Sequence, residues 1–171
     1  MDRNICLIGY MGSGKTTVGQ ELAARLDMRF EDTDELIVRR EGRSIPDIFR
    51  DDGEAYFREL ETNLLRELSE DRGVKNTVLS TGGGLPVDKR NRPLLKAVGC
   101  VVYLRASAEC LCKRIGNDTN RPLLNTEDRL KKIHDMLDLR GPVYEDCADH
   151  IVDTDALSLE ETVERVIKII G

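Results

Sequence analysis

The stretch Gly9-Tyr10-Met11-Gly12-Ser13-Gly14-Lys15-Thr16 reads G-x-x-x-x-G-K-[ST] and lies between an apolar run and an amphipathic one. The pattern demands a strand, a tight glycine turn and a helix, in that order. Its glycines let the backbone curl so that successive N–H groups converge on an anion, where a Cβ would crowd the approach. The helix that follows adds the partial positive charge of its N-terminus. Gly12, Ser13, Gly14, Lys15, Thr16 and Thr17 are therefore expected to hold the phosphates of a nucleotide. Lys15 would reach the β and γ phosphates, and the Thr16 hydroxyl would sit on Mg²⁺.

The rest of the chain repeats the alternation of short apolar runs with longer helical patterns, which points to a parallel sheet with helices on both faces. Strands are expected over residues 4–9, 29–32, 77–81, 100–104 and 150–152. Val18, Leu22 and Leu26 form one helical stripe over 15–26; Phe57, Leu60, Leu64 and Leu68 form another over 54–70. Further helices are expected over 107–115 and 127–139, with Arg140 ending the second. A last helix carries Leu159, Val163, Val166, Ile167 and Ile170, capped by Ser158 with Glu161 three residues on. A chain of 171 residues without linkers or low-complexity tracts fits one α/β domain, residues 1–171.

The formal net charge of −6, with no long Lys/Arg run, argues against nucleic acid as a partner. No apolar stretch approaches the roughly 20 residues that span a bilayer, and no cleavable leader is read at the N-terminus. Five cysteines, an odd number in apolar or helical contexts, suit a reducing cytoplasm. Cys110 and Cys112 lack the second pair or spaced His that a metal site requires.

A phosphate cradle serves small-molecule kinases, nucleotide switches and mechanical ATPases alike. No [NT]-K-x-D guanine-reading motif is present, and a motor or helicase would usually need more chain. A kinase needs an acceptor site, and there are candidates. In Asp32-Thr33-Asp34 both carboxylates would face one side of a cleft if the segment is extended, although Asp is also a common helix cap. Arg58 and Glu61 share a helix face, which by itself more often means an exposed ion pair. Gly82-Gly83-Gly84 follows an apolar strand, where it lets a ligand lie against the main chain. Arg121 closes the polar segment 116–120 and Arg140 ends a charged helix.

Taken together, G-Y-M-G-S-G-K-T, D-T-D, G-E-A-Y-F-R-E-L-E, S-T-G-G-G, N-R-P-L-L and R-G-P-V-Y resemble the shikimate kinase family over essentially the whole chain. The resemblance implies a three-layer P-loop NTPase fold, nucleoside-monophosphate-kinase-like, with a central five-stranded parallel sheet. It implies a substrate-binding region near 34–61 and a mobile lid near 116–126. The implied reaction moves the γ-phosphoryl of ATP to the 3-hydroxyl of shikimate with Mg²⁺, in a cytoplasmic enzyme that binds no membrane or nucleic acid; a monomer is expected. Asp34 matches the residue that binds the substrate hydroxyls and acts as base, with Lys15 and Arg121 as its catalytic companions. Arg58 and Arg140 match the pair that grips the substrate carboxylate, and Gly82, Gly83 and Gly84 line that pocket. Asp32 matches the water-mediated Mg²⁺ partner beside Thr16, and Arg114 the arginine against adenine. After Arg140 the family reads P-L-Y, whereas this chain has Gly141-Pro142-Val143-Tyr144. A kinase for another hydroxy acid, such as gluconate, and a regulatory module without turnover are the competing readings.

Overall fold

The computed structural model describes residues 4–70, 75–116 and 126–171. Five parallel strands form one sheet in the order β2-β3-β1-β4-β5: β1 Asn4–Ile8, β2 Arg29–Asp32, β3 Thr77–Ser80, β4 Gly99–Arg105 and β5 His150–Asp153. β1 is buried at all five positions, because both its edges are paired and both its faces are covered.

Its alternating side chains separate the two faces. Ile5 and Leu7 join Val18 and Leu22 of α1 (Lys15–Leu26) and Val163 and Val166 of α7 (Leu159–Ile170). Cys6 and Ile8 join Leu65 of α3 (Ile45–Glu70), Leu95 of α4 (Asn91–Val98) and Tyr144 and Cys147 of α6 (Thr126–Cys147). The result is helix, sheet and helix in three layers. α2 (Thr33–Glu41) follows β2 directly, and α5 (Ala108–Gly116) follows β4.

Local signals place most boundaries. The Ser158–Glu161 capping box forms as expected, with the Glu161 N–H donating to Ser158 Oγ at 3.2 Å and the Ser158 N–H to Glu161 Oε2 at 2.7 Å. α3 breaks at Gly53, where φ is 84° and ψ 171°, so the helical turns of 45–52 and the stripe of 54–70 are two segments meeting at a residue that only glycine suits.

Two elements depart from expectation. α6 does not stop at Arg140 but runs through Pro142 to Cys147. A proline inside a helix costs about 3 kcal/mol. Tyr144, fully buried two residues on, offsets this: roughly 150–250 Å² of aromatic surface contributes about 4–6 kcal/mol. α4 has no counterpart in the sequence-based reading. Its opening Asn91-Arg92-Pro93-Leu94-Leu95 is the same pentapeptide as residues 120–124, which lie outside the described residues. At the first copy, buried Asn91 donates to the Leu85 carbonyl at 2.9 Å and accepts from Thr62 Oγ1 at 2.8 Å. Those tertiary bonds select the helix start.

α1 crosses the sheet closely at Gly19, where a Cβ would lie 2.6 Å from Phe30 Cε2 and 3.3 Å from Leu7 Cδ1. Helix propensity favours alanine there by about 1 kcal/mol, but overpacking costs about 1–3 kcal/mol. Gly19→Ala is expected to lower stability by up to about 2 kcal/mol, seen as a lower denaturant midpoint with an unchanged slope.

Candidate active site

The C-terminal ends of β1, β2 and β3 open onto one crevice, the position where open parallel sheets bind ligands. After β1 the loop turns through Gly9, Gly12 and Gly14, with φ of 150°, 85° and 91°. A Cβ on Gly9 would meet the Leu104 carbonyl oxygen at 2.8 Å. The Ser13 N–H donates back to the Tyr10 carbonyl at 3.1 Å, closing the curl, while Ser13 Oγ is buried without a hydrogen-bond partner. Lys15, the first residue of α1, folds over the loop and donates to the carbonyls of Gly9 at 2.8 Å and Tyr10 at 3.0 Å. Burial lowers the Lys15 pKa to about 8, against the upward pull of Asp32 and Asp34. The ammonium is thus held where anionic oxygens would favour its charged form.

Beside the loop lies a pocket of about 280 Å³ lined by Ser13, Gly14, Thr17, Arg114, Thr154 and Leu157, among others. Arg114 reaches it from α5, donating to the Ser13 carbonyl at 3.5 Å and to Thr154 Oγ1 at 3.3 Å. The loops after the central strand β1 and the edge strand β5 are thereby joined through one guanidinium.

Asp32-Thr33-Asp34 divides its roles, and the helix-cap reading holds for its first member. Asp32 caps α2, accepting from the N–H groups of Asp34 at 2.9 Å and Glu35 at 3.4 Å through Oδ1. Its Oδ2 accepts from Thr16 Oγ1 at 3.5 Å, so a hydroxyl and a carboxylate stand together at the mouth of the loop. Thr33 is buried and accepts from the Gly82 N–H at 3.1 Å. Asp34 points inward. Burial and then Asp32 raise its pKa, while Lys15 and Arg58 lower it. The last two cations place Asp34 within electrostatic reach of both the phosphate loop and the arginine on α3.

Arg58 and Glu61 are not an exposed pair. Glu61 is fully buried and accepts from Arg58 Nη1 at 2.8 Å; Arg58 also donates through Nη2 to Glu54 at 3.1 Å. The signal for this was present: Glu61 lies four residues after Phe57 and three before Leu64, on the buried stripe. A Cβ on Gly84 would lie 2.6–2.8 Å from the Arg58 guanidinium, and one on Gly82 would lie 2.9 Å from Asp34 Oδ1. Gly83 accepts from the Tyr144 hydroxyl at 2.6 Å, and its own Cβ position is 3.7 Å from Arg140 Nη1. Gly82 and Gly84 are thus where a carboxylate and a guanidinium pack without side-chain room, while at Gly83 a Cβ would make only ordinary contacts. Tyr144, which the sequence-based reading left out, anchors this turn from α6.

Arg58 and Arg140 together line a pocket of about 260 Å³ with Glu54, Gly84, Val87 and Asp88. Arg121 and residues 117–125 of the expected lid lie outside the described residues. Among the described residues no cluster of three His, Cys, Asp or Glu could hold a metal, Cys110 and Cys112 included. A separate cavity of about 120 Å³, lined by Asn4, Arg29, Thr77 and Val98 among others, lies at the opposite end of the strands.

The model of the family described as shikimate kinase matches residues 11–171. Shikimate kinase of Enterococcus faecalis is 48% identical over 167 residues, 96% of this chain and 96% of its own. That of Methylococcus capsulatus is 44% identical over 165 residues, covering 96% of this chain and 90% of its own. Among solved structures, shikimate kinase from Acinetobacter baumannii in complex with shikimate superposes with a TM-score of 0.87 at 40% identity, covering 99% of this chain and 93% of the other. The enzyme from Bacteroides thetaiotaomicron gives 0.90 at 34% identity, covering 99% of each. With its motifs, strand order and nearly full length all in agreement, this chain belongs to the shikimate kinase family.

Proposed function

We propose that the protein transfers the γ-phosphoryl group of ATP to the 3-hydroxyl of shikimate, giving shikimate 3-phosphate and ADP. One observation carries this reading: Asp34 lies within reach of both Lys15 of the phosphate loop and Arg58 of a pocket that also holds Arg140. A ligand with a carboxylate at one end and a hydroxyl at the other fits that line. The shikimate-bound Acinetobacter relative supports the choice of acid.

In this reading the loop N–H groups and the start of α1 hold the phosphates, and Lys15 leaves the Gly9 and Tyr10 carbonyls to bond them. Arg114 flanks the adenine beside the pocket it shares with Thr17. Arg121 completes the phosphate contacts, as the family motif suggests. Arg58 and Arg140 grip the substrate carboxylate, while the Gly82-Gly83-Gly84 main chain lets the ring lie close. Asp34 then accepts a hydrogen bond from the attacking hydroxyl and takes its proton; its raised pKa makes it a better base than an exposed carboxylate.

Thr16 Oγ1 and Asp32 Oδ2 suit Mg²⁺, a hard cation that takes few protein oxygens and fills its shell with water and phosphate. Bound there, it would neutralise charge developing on the phosphates. All five cysteines are free, which favours a reducing cytoplasm.

ADP release from MgATP, measured with shikimate, gluconate and quinate in parallel, is expected to rise with shikimate alone; equal stimulation by gluconate would overturn the substrate. Arg58→Ala removes a charge-assisted contact worth about 1.5–3 kcal/mol, so the shikimate KM should rise roughly 10- to 100-fold. Lys15→Ala and Asp34→Asn should act mainly on kcat, the latter by roughly 10²–10⁴-fold. Gly84→Ala crowds the Arg58 guanidinium and must shift it against buried Glu61. It should raise the shikimate KM and also lower the thermal midpoint, kcat at saturation changing least.

A further inference from the structure

Two buried carboxylate oxygens, Asp34 Oδ1 and Glu61 Oε1, have no hydrogen-bond partner among the described residues. Both point at the same glycine. The Cβ position of Gly82 lies 2.9 Å from the first and 3.1 Å from the second, so the two oxygens are no farther apart than those lengths laid end to end. Two unpartnered acceptors crowded beside one glycine leave a place for a proton on one of them, bridged to the other by at most one water. Among the described residues no other group supplies a donor there.

The charges around Glu61 show when such a proton would arrive. Its cation is Arg58, on its own helix, bonded to Oε2 at 2.8 Å. From α2 it faces Asp34, and from the turn before α4 it faces Asp88. Arg90, at the start of α4, is taken up by Asp88 and Glu59, at 2.8 and 2.6 Å. Arg92 donates to the Pro86 carbonyl at 3.2 Å. α6 brings Arg140 to the neighbouring Gly83, and α1 brings Lys15 to Asp34. A substrate carboxylate seated on Arg58 would draw away part of the charge that keeps Glu61 ionised and add another negative charge beside it.

We propose that Glu61 takes up one proton from solvent when the carboxylate of the substrate binds Arg58, and holds it on Oε1 facing Asp34. The only bond formed is the new O–H of Glu61, and the proton is drawn from water or buffer. This rests on the shikimate kinase reading and adds a positioning residue to it. Neutral Glu61 leaves the Arg58 charge to the substrate and gives the orphaned Asp34 oxygen a donor. It also removes a like charge from beside Asp34, which keeps that carboxylate ionised as it accepts the hydroxyl's hydrogen bond, at some cost in basicity. The ligand-free protein is already poised for the change: burial pushes the Glu61 pKa up to about 7 despite Arg58, with Asp34 and Asp88 adding to the rise. Near pH 8 the free site is therefore mostly ionised and has a proton to gain.

The test is calorimetric titration of the full chain with shikimate at pH 8, in buffers of different ionisation enthalpy. The observed enthalpy should vary with the buffer, corresponding to roughly 0.5–0.9 proton taken up per shikimate. Because uptake accompanies binding, affinity should fall with rising pH above 7, by up to about tenfold per unit. Glu61→Gln keeps Lys15 and Asp34 but should abolish both dependences. Infrared difference spectra of the unmodified chain should show a protonated carboxyl band appearing with shikimate, independent of any variant. Binding without buffer dependence, or a dependence that survives in Glu61→Gln, would overturn the proton assignment alone. No binding of shikimate at all would overturn the substrate reading and this inference with it.

Discussion

Strand β1 is hydrogen-bonded on both edges and packed on both faces, and that double burial fixes where its last carbonyl and the loop beyond it can lie. The loop cannot drift, because Thr81 ties the end of β3 back to the Leu7 carbonyl through both its N–H and its hydroxyl, at 3.2 and 3.1 Å. The Gly82–Gly84 turn therefore stands at a set height beside the phosphate loop. Thr33 bonds the same turn from the start of α2, and Tyr144 bonds it from α6. Four segments distant in sequence converge on one crevice because one strand is held from every side.

Charge in that crevice is arranged for exchange. Lys15 rests on backbone carbonyls, weak partners that phosphate oxygens can replace. Arg58 rests on Glu54, which is about two-thirds exposed and so holds it loosely, and on Glu61, which is buried and holds it firmly. The guanidinium keeps its place while one edge remains open to a ligand. Asp34 sits between these cations and the Asp32 cap, which explains a carboxylate that is desolvated yet still balanced.

Much of the site was legible because its chemistry is local. The phosphate loop is a contiguous stretch whose glycines, lysine and threonine each answer a backbone or ligand requirement within eight residues. The Ser158 capping box and the apolar strands are likewise settled by near neighbours. The parts that escaped depend on distant contacts. α4 starts where Asn91 meets Thr62 and Leu85, and nothing in Asn91-Arg92-Pro93-Leu94-Leu95 announces those partners. α6 continues past Pro142 because Tyr144 has a buried place to fill. Glu61 looked like half of an exposed pair: its spacing from Phe57 and Leu64 places it on the apolar stripe, but its charge spoke for solvent, and only the assembled layers decide between the two.

The sequence by itself determined the α/β alternation, the phosphate-binding loop and the roster of acidic, basic and glycine residues around an acceptor, because these follow from periodicity and residue chemistry at short range. Only the tertiary structure decided which carboxylate caps a helix and which faces the crevice, as Asp32 and Asp34 divide those tasks two residues apart. It also decided that Glu61 is desolvated beside Gly82. Burial and electrostatic coupling are properties of the assembled layers: the same side chain is a solvated ion on an open helix and a proton site when α2, α4 and the glycine turn close over it.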